Sequence, residues 1–231
     1  MRNFLVLLLS ISICTLTQAQ SFHFGPKAGG TIAVQQWNNL ERDPLFAYHG
    51  AVFIETLDPS DEGSLYAQFG YHKRGSGVRV FDFLTSFSQS QSFQFNNLVL
   101  ALGTKRRINR SESKVFFYNF AIRGEYTLNT NLSNFENFNS LFYPIDQFVR
   151  KFNYGLSFGG GIEFGSSKFS VPFIELTISP DISLQYMQNA IPNVINPFNG
   201  QTTTLPERNI RNLTLELTFG MKFLREVIYV D

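Results

Sequence analysis

From Arg211 to Phe223 the side chains change character at every step. Arg211, Leu213, Leu215, Leu217, Phe219, Met221 and Phe223 share one parity, and Asn212, Thr214, Glu216, Thr218, Gly220 and Lys222 share the other. A period of two is the mark of an extended strand whose faces meet different surroundings. The pattern recurs upstream. Phe152, Tyr154, Leu156, Phe158, Ile162 and Phe164 alternate with Asn153, Gly155, Ser157, Gly159, Gly161 and Glu163. Ile174, Leu176, Ile178, Ile182, Leu184 and Tyr186 alternate with Glu175, Thr177, Ser179, Asp181, Ser183 and Gln185. Phe116, Tyr118, Phe120, Ile122, Tyr126 and Leu128 oppose Asn119, Ala121, Arg123, Glu125 and Thr127. Shorter alternations cover Phe22 to Val34, Phe46 to Thr56, Leu65 to Tyr71 and Leu98 to Thr104. Pro26 and Pro180 lie inside these segments, and a residue without a backbone donor predicts a bulge or a strand end there.

The connections carry a second signal. Asp58 to Gly63, Arg106 to Ser113 and Gly165 to Ser167 are short. Gly75 to Gln91, Asn129 to Val149 and Met187 to Glu207 are long, and Gln35 to Pro44 is intermediate. Long and short connections in alternation are expected of an up-and-down meander with extracellular loops at one end and periplasmic turns at the other. The reading is an all-β chain, an eight-stranded antiparallel transmembrane β-barrel. The two longest loops leave room for one more hairpin, and the alternating Ser/Gln stretch from Phe87 to Phe95 reads as strand continuing above the membrane.

The N-terminus reads as an export signal. A basic Arg2 precedes an apolar run from Phe4 to Ile13, and Thr17-Gln18-Ala19 is a small-x-small cleavage site. The run is shorter than the roughly 20 residues of a spanning helix. Residues 1–19 are therefore expected to be a signal peptide, and residues 20–231 the barrel domain. Cys14 is the only cysteine and falls in the signal, so the remaining chain offers no disulfide, thiolate nucleophile or cysteine metal site.

Composition decides which face of the strands meets lipid. Aromatic and charged residues each make up 16% of the chain. The polar faces are mostly Gly, Ser, Thr, Asn and Ala, with few charges for a surface in water. Such side chains suit the interior of a small barrel. The Phe- and Tyr-rich faces suit lipid and its interfacial girdles. The opposite arrangement, a soluble periplasmic barrel with its apolar face around a lipid, is the alternative. A net charge of +1 gives no basic surface for nucleic acid.

Several stretches carry a family resemblance. They are Phe24-Gly25-Pro26-Lys27-Ala28-Gly29-Gly30, His49-Gly50-Ala51-Val52-Phe53 and Gln68-Phe69-Gly70-Tyr71-His72-Lys73-Arg74-Gly75, followed by Gly159-Gly160-Gly161-Ile162-Glu163-Phe164 and Leu217-Thr218-Phe219-Gly220-Met221-Lys222-Phe223. On these the chain resembles the PorT-like outer-membrane β-barrel family of Gram-negative bacteria. The resemblance implies the fold and an outer-membrane location, not a task.

The inferred interior holds Lys27, Glu55, Arg123, Glu125, Glu163, Glu175, Asp181, Glu216 and Lys222, with acids in excess of bases. The expectation is a network of ion pairs and hydrogen bonds plugging the lumen, with Arg123 central to several carboxylates, since buried charge is tolerated only when paired. The histidines are His23, His49 and His72, expected near the periplasmic rim, at mid-wall and nearer the outer rim. His72 with Ser76 is the one nucleophile–base pair to weigh for a hydrolase acting on lipid or peptide. No metal-ligand spacing appears in the sequence, and no cofactor is expected. The long loops carry aromatic candidates for interaction: Trp37, Phe81, Phe83, Phe135, Phe138, Phe142 and Tyr143. The expected role is a non-enzymatic outer-membrane scaffold or binding component of an envelope assembly. Its expected partners are outer-membrane lipid and another envelope protein.

Overall fold

The computed structural model describes residues 21–37, 42–56, 63–81, 88–111, 113–135, 144–165, 169–196 and 199–225. Eleven strands follow in chain order: β1 (Phe22–Gln36), β2 (Asp43–Thr56), β3 (Gly63–Phe81), β4 (Ser88–Arg110), β5 (Lys114–Thr130), β6 (Phe152–Phe164), β7 (Ser170–Pro180), β8 (Tyr186–Gln188), β9 (Ile191–Ile195), β10 (Thr202–Leu205) and β11 (Arg208–Arg225). Strands β1 to β7 each pair with the next, β7 pairs with β11, and β11 closes the ring on β1. Every pairing is antiparallel, and the closing register runs from Phe22↔Arg225 to Gln36↔Arg211. The result is an eight-stranded barrel with no free edge, which satisfies the backbone without help from water.

Burial settles the two faces. Along β5 the exposed side chains include Tyr118, Phe120, Ile122 and Tyr126, and the buried ones are Phe117, Asn119, Ala121, Arg123, Glu125 and Thr127. Ile122 is 63% exposed and Arg123 is 2% exposed. Along β11 the outward row is Leu213, Leu215, Leu217, Phe219, Met221 and Phe223, and Asn212, Thr214, Glu216, Thr218 and Lys222 point inward. The apolar faces lie outside, so the barrel encloses no apolar cavity for a lipid among the described residues, against the soluble alternative.

Four expectations meet a mixed outcome. β3 and β4 are 19 and 23 residues long, well past Tyr71 and Thr104. A span needs about 9–11 residues. Their pairing continues from Gly63↔Arg106 to Phe81↔Ser88, so the hairpin extends beyond the bilayer. Second, β7 stops at Pro180, the strand end expected of a residue without a donor, so the strand is shorter than the alternation to Tyr186 and the chain bends before β8. The parity nevertheless holds past the bend, with Asp181, Ser183 and Gln185 buried and Ile182 exposed, and slips only after Gln185, so Tyr186 is fully buried rather than on the lipid face. Third, Pro26 sits within β1 with no shift of register against β2 or β11. Fourth, the last long loop does hold a further hairpin, β9–β10, but it forms its own two-stranded sheet outside the barrel wall.

The lumen is filled at both ends by rings. Toward the turns, Phe53, Phe117 and Phe173 pack edge to face. Gly161 and Gly220 make room for them: an added Cβ would lie 2.6 Å from Phe117 Cζ and 2.3 Å from Phe173 Cζ. Toward the loops, Phe93, Phe95, Leu132, Tyr186 and Ile210 form a buried cluster, with Trp37, Phe148 and Val149 packed against it. Short 3₁₀ turns at Leu132–Phe135 and Asp146–Phe148 bring Leu132 and Phe148 inward.

Candidate functional site: the charged lumen and its cap

All nine interior charges read from the sequence are buried in the lumen. The alternation also carries Arg74, Lys105 and Arg107 inward, on the parts of β3 and β4 beyond the expected strand ends. Below the aromatic cap, Lys27, Arg74, Lys105, Arg107, Arg123 and Lys222 thus face Glu55, Glu125, Glu163, Glu175, Asp181 and Glu216. The expected excess of acid becomes one cation for each carboxylate. The parity of β3 and β4, extended past Tyr71 and Thr104, was the available signal.

The network forms three levels. Nearest the turns, Lys105 Nζ lies 2.6 Å from Glu163 Oε1 and 3.3 Å from Glu55 Oε2, and Lys222 Nζ donates to Glu163 Oε2 at 2.6 Å. Arg107 pairs with Glu55. The Lys105 ammonium also sits 3.8 Å from the centre of the Phe117 ring, a cation–π contact in a desolvated site. One level up, Lys27 Nζ donates to Glu175 Oε1 at 2.8 Å and Asn119 donates to Glu175 Oε2 at 3.0 Å. Above them Arg123 joins β5 to β6 and to the β7 end. It donates to the Leu156 and Ser179 carbonyls at 3.1 and 3.2 Å, binds Asp181 Oδ1 at 2.5 Å and pairs with Glu125. Arg74 Nη2 lies 3.0 Å from Glu125 Oε1. Arg123 thus joins two of the six carboxylates, Glu125 and Asp181, at the upper level.

Two histidines share this upper level. His49 on β2 and His72 on β3 are direct cross-strand partners, with ring centroids 5.1 Å apart and planes 14° from parallel. His72 is therefore level with His49, not nearer the outer rim. His72 Nδ1 lies 2.8 Å from Glu216 Oε1 on β11. Ser76 instead donates to Gln35 Oε1 at 2.8 Å, so the His72–Ser76 pair is not formed. His23, near the turn end of β1, is partly buried.

The loop candidates divide. Trp37 is partly buried, not an exposed anchor. Its ring lies 5.9 Å from Phe93 and 6.5 Å from Tyr186, with the Arg42 guanidinium 3.6 Å above it. Burial and the nearby Arg208 pull Arg42 down to about 10. Tyr186 anchors the cap: its hydroxyl donates to Gln188 Oε1 at 2.8 Å and accepts the Ile145 amide at 3.1 Å. Phe83, Phe138, Phe142 and Tyr143 lie outside the described residues, as do the side chains of Phe81 and Phe135. Phe93, Phe95 and Ile210 were missed as cap residues because their parity gives the face and not the height.

Comparison with known proteins agrees with this geometry. Two solved structures share the fold at low identity. Neisserial surface protein A (NspA) is 9% identical, with a TM-score of 0.54 over 89% of this chain and 99% of its own. The outer membrane protein OprG from Pseudomonas aeruginosa is 8% identical, with a TM-score of 0.54 over 89% of this chain and 96% of its own. No curated protein matches the chain. Residues 18–185 match the family described as outer membrane protein beta-barrel domain. With that match over most of its length, a closed ring of eight strands and an apolar exterior, the chain belongs to the outer membrane protein beta-barrel domain family and resides in the outer membrane.

Proposed function

We propose that the protein is a non-enzymatic scaffold or binding component of an envelope assembly, engaging its partner through the extracellular loops. The observation that carries this reading is the filled lumen. Six cations and six carboxylates pair inside the wall, rings pack at both ends, and two cavities among these charges are of about 20 Å³ each. That is room for about one water. A lumen filled by its own side chains favours function on the outer surfaces, and loops on a rigid scaffold are the usual place for it. The β9–β10 hairpin adds an ordered surface there, with Ile195 68% exposed. Residues 1–19 fit this reading as a cleaved export signal, which the mass of the envelope-bound protein checks.

The test is in-cell photo-crosslinking. A photoreactive residue at Ser133 or Ile195 should give one discrete adduct with an envelope protein, and the same residue at Ser113, in the opposite turn, should not. No adduct from either loop position in cells that express the protein natively would refute the reading.

A further inference from the structure

We infer that His49, His72 and Glu216 form a binding site for a divalent transition metal of the zinc class inside the barrel. The three residues come from β2, β3 and β11 and are all buried, and one donor atom from each lies within 4.8 Å of the others. Two imidazoles and a carboxylate are the protein ligands of many sites that keep a further position for water. The same residues line a cavity of about 20 Å³, room for one such water. Bonds of about 2.1 Å place tetrahedral ligands ~3.4 Å apart, so side-chain closure on the order of 1 Å completes the set.

Unspent hydrogen-bonding capacity is the second observation. His72 is 2% exposed, and its Nε2 has no partner among the described residues. A buried imidazole nitrogen left unsatisfied is costly, and a metal ion relieves that cost. His49 carries the outer support that metal-bound histidines need. One ring nitrogen lies 2.9 Å from Thr31 Oγ1 and the other 2.9 Å from Thr218 Oγ1. The metal takes the place of one hydroxyl and the other keeps the ring in position. The reach to Thr218 crosses β1 at Gly29, which pairs with both His49 and Thr218 and has no side chain in the way.

The local charge permits loading. Arg74 Nη2 lies 3.7 Å from Glu216 Oε1 but 3.0 Å from Glu125 Oε1, so it stays with Glu125 when Glu216 turns to the ion. The ion then supplies the positive charge that Glu216 draws from Arg74.

Untagged protein folded in detergent micelles is titrated with zinc chloride by calorimetry, and a heat-dependent gel shift verifies each fold. The expected result is one zinc per barrel, at least tenfold weaker binding in His72→Gln and in Glu216→Gln, and unchanged binding in His23→Gln. No zinc bound by the wild-type barrel, or equal binding by all variants, overturns the site. Should the two site variants fail to fold, Cu²⁺ bound to the His23→Gln barrel decides, because His49 and His72 are then its only imidazoles. Nitrogen hyperfine couplings from two imidazoles in its electron paramagnetic resonance spectrum support the site. A spectrum with oxygen ligands alone overturns it.

Discussion

Arg123 shows what a single lumen residue costs to change. Its guanidinium serves two carboxylates, Glu125 and Asp181, and two carbonyls, all inside the wall. Truncation leaves acids that water cannot reach, and breaking one partner of a buried pair costs about 3–5 kcal/mol. Arg123→Ala should therefore lower the temperature at which the barrel loses its compact gel mobility, and adding Asp181→Asn should recover part of the loss. An unchanged transition in Arg123→Ala would show that the network is not holding the wall. At this scale the sequence was informative about identity and face, since each of the nine interior charges could be named from parity. It was silent on pairing. Lys105 meets Glu55 and Glu163 across 50 and 58 residues, and His72 meets Glu216 across 144. No local pattern encodes contacts at those separations.

At the scale of the element, each strand is a two-sided solvent boundary. β5 sends Ile122 to lipid and its neighbours Ala121 and Arg123 to the lumen. A charge placed on the lipid face at mid-strand costs about 2–4 kcal/mol. Ile122→Arg should thus slow or block folding into lipid vesicles, measured as the fraction showing heat-dependent mobility, while Ser133→Arg in the loop should fold as wild type. Equal yields would mean that this band of β5 does not face lipid. The elements that the sequence described least well are those that leave the bilayer. β3 and β4 continue as a hairpin beyond the apolar band, where one face no longer has to be hydrophobic and the alternation fades. β7 ends at Pro180, yet the in-and-out order survives to Gln185 and slips one residue later at the start of β8, which is why Tyr186 points inward.

For the whole molecule, the decisive property is closure at three heights. The Phe53–Phe117–Phe173 rings, the ion-pair levels and the Trp37–Phe93–Tyr186 cap lie in series along the lumen. An eight-stranded barrel is just wide enough to be filled by its own side chains. Purified protein in planar bilayers should therefore give no steady ionic current at moderate voltage. Stable open channels of uniform size would contradict the closed lumen.

The sequence alone determined the barrel strands, their faces and the side of the wall on which nine of the lumen charges sit, because a period of two is local and needs only the pleat to express it. It also determined the meander, through the alternation of short and long connections. The tertiary structure decided height. Register between strands sets which residues share a level, and that depends on how the strands tilt and stagger when the ring closes on itself. His49, His72 and Glu216 lie at separate points of the chain and become neighbours only because β11 closes against β1 and so brings Glu216 to the level of the β2–β3 pair. The cap was likewise decided there, since Phe93, Tyr186 and Trp37 come from three segments whose meeting point exists only once the barrel is closed.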